Sequence, residues 1–386
     1  MENNEEKRYM QVAKDLNLLV LGNSAGVVYW KPAGLKLYEN LKSFIRKHHE
    51  KRGYLEVRSP SIVSEDLFRQ SGHLEKYQHN MFSLNGEEEN NYVLRPMSCP
   101  NHIVIYQSEL RSYKNLPLPI FEFGEVFRNE PSGSLQVLFR QRQFCQDDSH
   151  VFVDKNNLSK SISNYLLMAQ EVYKELGFED VKYDISLRPE QRFGSDEDWD
   201  AAEESLREAC RMHGIIFNEL PGEGAFYGPK IELKVKDKLG RSWQLGTLQL
   251  DYVLPKRFDL NYIDESGKKE SPIILHHAVL GSLERMIGIL LESFGVNLPS
   301  FLHPYPSKVV PISEKSLDYA NLLAQKINSS IDSSDEPLGK KLAFWRNKGV
   351  IDIYVVGEKE ANLFADSGEM KAMLNRGKDK ELIKIN

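Results

Sequence analysis

Three side chains with metal-binding chemistry stand on separate stretches of the sequence. Cys99 follows Arg95-Pro96-Met97-Ser98 at a strand-to-helix turn, His150 ends a polar run, and His276 lies on the run Ile273–Ala278 with His277 on its opposite face. One thiolate and two imidazoles would hold a zinc ion with one or more positions open, the arrangement of a metal that touches a substrate. Spacing this dispersed is weak evidence, and from the pattern alone a buried thiol and two hydrogen-bonded imidazoles are the plainer reading.

A second group is cationic and aromatic. Phe121–Arg128 and Leu138–His150 read as two extended runs joined by Asn129-Glu130-Pro131-Ser132-Gly133-Ser134, which has turn chemistry but is too long for a tight hairpin. Side chains alternate on a strand. If the second run is extended throughout, Arg140, Arg142, Phe144, Gln146, Asp148 and His150 share one face, while Cys145, Asp147 and Ser149 point the other way. Charged strand faces usually meet water. This one grades from cationic through aromatic to acid and imidazole, and Arg128 and Glu130 close the neighbouring run, a pattern that suits a ligand with a phosphate end, a flat ring and an amine. Arg285 lies one turn into the helix opened by Gly281-Ser282-Leu283-Glu284, where free amides favour phosphate. A solvated arginine beside a glycine cap is the plainer reading. Gly222–Lys230 is not a phosphate loop of the GxxxxGK[ST] kind, because Pro229-Lys230 feeds a strand, and composition makes it a loop.

Holding these groups together takes a scaffold, and 386 residues with 41% hydrophobic content suffice for two domains and a sizeable core. The net charge of −6 gives no hint of nucleic-acid binding, although a local basic patch can still bind it. No apolar run approaches the ~20 residues that span a bilayer, so no membrane association is expected. The start, Met1-Glu2-Asn3-Asn4-Glu5-Glu6-Lys7, resembles neither a secretory signal nor a transit peptide. Cys99, Cys145 and Cys210 are too few for a disulfide framework, which makes a reducing compartment the default.

Residues 1–34 read as a lead-in that begins polar and helical. Helices are expected at Leu35–Lys51, Ser64–Gly72, Asn101–Leu110 (with Pro100 in its first turn), Leu158–Leu176, Asp196–His213 and Gly281–Phe294. Strands are expected at Gly53–Pro60, Tyr92–Met97, Val181–Leu187, Ile231–Val235, Trp243–Leu250 and Pro272–Ala278. Long helices alternate loosely with clustered strands, so the expected class is α+β, an antiparallel or mixed sheet flanked by helices, not a repeating parallel βαβ array. Pro299, Pro304 and Pro306 mark a boundary near residue 300. Beyond it a strand at Lys308–Ile312, a helix at Glu314–Ser329 and a strand at Ile351–Gly357 suggest a small α/β unit.

Taken together, Arg128-Asn129-Glu130 after a strand, Arg140, Phe144 and Gly281-Ser282-Leu283-Glu284-Arg285 resemble the second and third signature motifs of class II aminoacyl-tRNA synthetases. Finer matches are similar to the threonyl-tRNA synthetases: Arg95 through Pro100, Arg128 through Ser134, Gln146 through His150, Gly222 through Lys230, Gly246 through Asp251, and His276 through Arg285. The resemblance runs from about Val27 to the C-terminus. It implies one zinc per subunit on Cys99, His150 and His276, binding the amine and hydroxyl of L-threonine, with Met97, Gln146, Asp148, Tyr227, Lys230 and Gln249 around the amino acid. It further implies that Arg128 clamps carboxylate and α-phosphate, and that Arg140 and Arg285 hold the γ-phosphate of ATP. Phe144 and Arg285 would sandwich adenine, Glu130 read its amino group, Gln244, Thr247 and Ser282 make lesser contacts, and Mg²⁺ accompany the nucleotide. His73 matches a histidine implicated in transfer to tRNA, and Pro60 a proline at the homodimer interface; a plain surface histidine is the other reading of His73.

The implied domains are the lead-in 1–34, a catalytic domain 35–300 and an anticodon-binding domain 301–386, in a cytoplasmic threonine–tRNA ligase of compact form. The family's N-terminal and editing domains have no counterpart, and the C-terminal region ends without the usual final helix. Asn101 stands where the family has glycine, Leu245 replaces a common cysteine, and Pro311 a common asparagine. Two alternatives stay open: a class II synthetase for another amino acid, and a non-catalytic paralogue that binds tRNA or protein.

Overall fold

A computed structural model describes residues 8–84 and 91–385. Its contacts divide the chain into two units. The larger spans Lys42–Ile289 together with Leu21–Val28. The other gathers the chain from Leu290 onward with Tyr29–Leu41 and residues up to Val20. The lead-in is thus shared between units, and the division falls before the cluster of prolines near residue 300. Of the expected N-terminal helix, Arg8–Asp15 is seen; residues 1–7 lie outside the described residues.

The larger unit is built on eight strands: β1 Leu55–Glu56, β2 Leu118–Phe127, β3 Gln143–Val153, β4 Val181–Ser186, β5 Phe217–Leu220, β6 Lys230–Lys236, β7 Ser242–Asp251 and β8 Ile273–Ala278. They lie in the order β5-β4-β6-β7-β8-β3-β2-β1. Only the edge pairs, β5 with β4 and β1 with β2, are parallel; the six strands between run antiparallel. The sheet is therefore mixed and flanked by helices at Leu158–Glu175 and Asp196–Met212, as the α+β reading expects. The stripe Ile162, Tyr165, Leu166, Ala169, Val172 and Tyr173 buries one face of the first of these helices, a period of three and four that only a helix satisfies. Tyr165 and Tyr173 donate their hydroxyls to the carbonyls of Ala278 and Val279, fixing the exit of β8.

One expectation fails at the start of β3. The extended run begins at Gln143, not Leu138, and Gln136 to Arg140 form a turn in which the N–H groups of Phe139 and Arg140 donate to the Gln136 carbonyl. Leu138 and Phe139 are consecutive in this turn and both buried. A Cβ added at Gly288 would meet Leu138 and Phe139 at 3.2 Å, so the turn packs both side chains onto the helix Leu283–Phe294. Arg142 consequently leaves the shared face; its guanidinium donates to the Glu130 carbonyl and the Ser132 hydroxyl. The expected strand at Gly53–Pro60 is also shorter, reduced to β1.

The other unit carries β9 Ser307–Pro311, β10 Ser330–Ile331, β11 Asp352–Val356, β12 Met370–Arg376 and β13 Asp379–Ile385 in the order β10-β9-β11-β12-β13. Helices at Leu317–Lys326, Leu338–Asn347 and Glu358–Ser367 accompany it. Val309, Tyr319, Ala320, Leu323 and Val356 form one side of its core, and Val310, Trp345, Val350 and Ile353 the other. No helix among the described residues is long and apolar enough to cross a membrane.

Candidate active site

Register places the site. From Gln143 to Ser149 the odd residues Cys145, Asp147 and Ser149 of β3 are buried on the rear face, while Phe144, Gln146, Asp148 and His150 look into a cavity of about 710 Å³. On the neighbouring strands Lys230, Gln249, His276 and His150 are successive register partners, so they stand side by side across β6, β7, β8 and β3. The rear face is anchored independently. The Asp147 carboxylate, which burial pushes up to about 8, accepts the N–H groups of Val279 and Leu280, and Glu284 accepts the N–H of Cys145. His277 meets the Tyr54 hydroxyl at 2.7 Å there.

Cys99 arrives from above the sheet. A Cβ at Gly124 would lie 2.6 Å from the Ser98 hydroxyl, so glycine on β2 is what lets the turn Arg95–Ser98 lie over the strand and start the helix Cys99–Gln107. Cys99, His150 and His276 are all buried, and one ligand atom from each lies within 4.8 Å of the others. Burial pushes the Cys99 thiol well above its ordinary range, with Asp148 and Asp251 adding to the effect, and burial pulls His150 well below its own. One thiol and two imidazoles beside acidic neighbours form a donor set that takes a cation once the thiol gives up its proton and becomes a thiolate. This is the chemistry zinc requires, and the residues fit it. His276 is oriented by Asp251, whose Oδ2 lies 2.8 Å from its Nε2.

The opposite end of the cavity is cationic. Arg285 donates from Nε to the Phe139 carbonyl and from Nη1 to the Gln244 carbonyl, both at 3.0 Å. Burial lowers its pKa, and the neighbouring Arg128 and Arg140 lower it further, the mark of like charges converging on one space. Arg128 sits 5.1 Å from the Phe144 ring centroid, and Arg140 reaches Glu130 at 2.8 Å. Gly281 is needed where this end meets β7: its φ is +72° and an added Cβ would lie 2.5 Å from the Leu245 carbonyl oxygen. Gln244 bonds Thr247, and Ser282 bridges to Gln146. Tyr227 closes the end of the cavity beside the Cys-His-His cluster from the Gly222–Lys230 loop, 5.4 Å from His276 ring to ring.

The residues singled out from sequence thus line one cavity: Met97, Cys99, Arg128, Glu130, Arg140, Phe144, Gln146, Asp148, His150, Tyr227, Lys230, Gln244, Thr247, Gln249, His276, Ser282 and Arg285. His73 does not. It is fully buried behind Tyr227, 5.8 Å away ring to ring, with Nδ1 on the Ser71 hydroxyl. Sequence reasoning passed over Phe139 and Trp243, whose stacked rings floor the cationic end, and over Asp251, Glu122 and His102 around the outer atoms of the Cys-His-His cluster. His102 had a signal: it follows Cys99 by three residues on a helix, which puts both on one face. Asn101, in place of glycine, donates to the Pro60 carbonyl at 2.8 Å and tethers that segment.

Residues 82–294 match the family described as tRNA synthetase class II core domain (G, H, P, S and T), and the chain belongs to the class II tRNA synthetases. Within that class it falls with the threonyl-tRNA synthetases. It is 40% identical over 366 residues to the threonine–tRNA ligase of Marinobacter nauticus, covering 93% of this chain and 57% of that protein. The chain therefore spans little more than half the length of such curated relatives. A crystal structure described as the RNA binding domain of threonyl-tRNA synthetase from Cryptosporidium parvum Iowa II is 36% identical with a TM-score of 0.92, covering 98% of this chain and 96% of that one. A putative threonyl-tRNA synthetase from Aeropyrum pernix is 29% identical with a TM-score of 0.81, covering 98% and 91%.

Proposed function

We propose that the chain ligates L-threonine to tRNA(Thr) at the expense of ATP, through a threonyl-adenylate. The observation that carries this is the sharing of one cavity by a Cys-His-His cluster at one end and a convergent guanidinium group at the other. Zinc on Cys99, His150 and His276 would supply a Lewis acid for the amine and side-chain hydroxyl of threonine. Asp148 and Gln146 then hold the amine side, Tyr227 and Met97 bound the side chain, and Lys230 and Gln249 complete the wall. Arg128 bridges the threonine carboxylate and the α-phosphate, where the carboxylate oxygen attacks phosphorus and pyrophosphate leaves. Arg140 and Arg285 neutralise the departing phosphates, with Mg²⁺ accompanying ATP. Phe144 and Arg285 enclose adenine, Glu130 accepts from its amino group, and Gln244, Thr247 and Ser282 support the nucleotide. The catalysis is positioning and preorganised electrostatics.

His73 stands behind Tyr227, so a part for it in transfer to tRNA runs through Tyr227 and not through contact with the cavity. Residues 301–386 are the anticodon-binding part of this reading, residues 35–300 its catalytic part, with 1–34 as lead-in. The segment at Pro60 serves a homodimer, and the cytoplasm is the proposed compartment. The test is ATP–pyrophosphate exchange with threonine, valine and serine, with metal analysis of the same sample. Threonine-dependent exchange by zinc-loaded protein is expected; its absence from folded, zinc-loaded protein overturns the reading.

A further inference from the structure

The cluster is supported by a buried relay whose protons are determined by its geometry. Nδ1 of His102 lies 2.7 Å from Nδ1 of His150, with the rings edge to face. Nε2 of His102 lies 3.2 Å from Oε1 of Glu122, an ion-pair contact whose alignment falls short of a hydrogen bond. Glu122 is held as a carboxylate by Arg95, whose Nη1 donates to it at 2.7 Å, and by the hydroxyl and N–H of Ser59. His102 and Arg95 are 0% and 2% exposed, so both partners are held out of bulk solvent.

Two imidazole nitrogens in hydrogen-bond contact share one proton. The Glu122 carboxylate can only accept and lies beside Nε2, so its field favours the His102 proton there and leaves Nδ1 as the acceptor. His150 must then carry its proton on Nδ1 and donate it to His102. The lone pair of His150 is thereby left on Nε2, on the ring edge away from the relay. We propose that His102 is a positioning residue that sets the tautomer and ring orientation of His150, and so its readiness as a metal ligand. This rests on the zinc reading above. The companion ligand His276 is set by a carboxylate directly, through Asp251. The His150 arm reaches its carboxylate one ring further away, because Glu122 is the register partner of Asp148 on the adjoining strand and cannot reach past it.

The test compares His102→Leu, which fills the space but cannot accept, with His102→Asn, whose amide oxygen takes up a position near Nδ1 and can. Zinc affinity by competition with a chromogenic chelator is expected to fall roughly 10- to 100-fold in the leucine variant and to recover in the asparagine variant. Imidazole ¹⁵N spectra of the metal-free wild type are expected to show His150 with its proton on Nδ1, and the leucine variant to lose that preference. A leucine variant that folds and binds zinc as tightly as wild type, or a wild-type His150 protonated on Nε2, overturns the proposal. If both variants fail to fold, the wild-type spectrum alone decides. A wild type that shows the Nδ1 tautomer but takes up no zinc overturns the zinc reading and with it His102's service to a metal, while the relay itself stands.

Discussion

His150 and His276 are register partners on neighbouring antiparallel strands, with ring centroids 4.6 Å apart and planes at 80°. Two imidazoles from distant parts of the chain are thus delivered by backbone pairing, and only Cys99 has to be brought in by a turn. The cluster should therefore depend on Cys99 for completeness and on the sheet for shape. Cys99→Ser is expected to leave the fold intact by circular dichroism yet lower zinc content at equilibrium, with threonine-dependent exchange down by at least about 100-fold, since supporting partners alone are worth roughly 10- to 100-fold.

Arg285 spends two of its donors on the carbonyls of Phe139 and Gln244, and its planar fork aims what remains into the cavity. Lysine cannot make that pair of contacts and still present charge. Arg285→Lys should lower the exchange rate by about 10²- to 10³-fold, the range for losing one preorganised donor, with thermal stability little changed.

Serine retains the amine and hydroxyl of threonine and lacks one methyl group. Activation of serine should trail threonine by only about 10- to 200-fold in kcat/KM, whereas valine, lacking the hydroxyl, should be refused by about 10⁴-fold or more. Exchange with each amino acid measures both ratios, and equal rejection of serine and valine would contradict this account of selectivity.

Glu122 is buried, which alone would raise its pKa, but His102, Arg95 and Ser59 together outweigh burial and bring it down to about 2. A carboxylate depressed in the folded state contributes stability that is complete above its unfolded value near 4.5 and is lost as pH falls toward 2. Acid unfolding followed by tryptophan fluorescence should show this step. Glu122→Ala should remove it and lower stability at neutral pH by about 3–5 kcal/mol, because Arg95 is left buried without its partner.

Gly281 is required twice, by its φ of +72° and by the Leu245 carbonyl. Gly281→Ala should cost more than about 1 kcal/mol and displace the helix that carries Arg285, so the melting temperature and the KM for ATP should worsen together. An alanine variant with unchanged ATP affinity would show that the helix start tolerates the shift.

What the sequence disclosed follows from the range of each interaction. Alternation in β3 is local, so the split of Gln146, Asp148 and His150 from Cys145, Asp147 and Ser149 could be read before any fold was known. The turn at Gln136–Arg140 could not, because Gln136-Val137-Leu138-Phe139 contains no glycine or proline to announce it and is imposed by packing on Gly288. The pairing of His150 with His276 depends on every loop between them, and no window of sequence contains it. Asp251 and Glu122 were likewise invisible, since an acid on a strand reads as a solvated face until its partner strand is known. The family resemblance named the cavity's lining before any fold was known, and it singled out His73, which the fold buries behind Tyr227.

The break before β3 makes the two ends of the cavity mechanically unlike. His150 and His276 ride on interior strands, one held by His102 and the other by Asp251, and lose little freedom when a ligand enters. Arg140 hangs from a turn, 49% exposed and tied to Glu130. For a nucleotide to use both residues as proposed, that ion pair must open, so a small, discriminating ligand meets a finished mould while a large, charged one must first prise apart a clasp. Cost on binding is thereby shifted to the substrate with the most phosphate contacts to offset it.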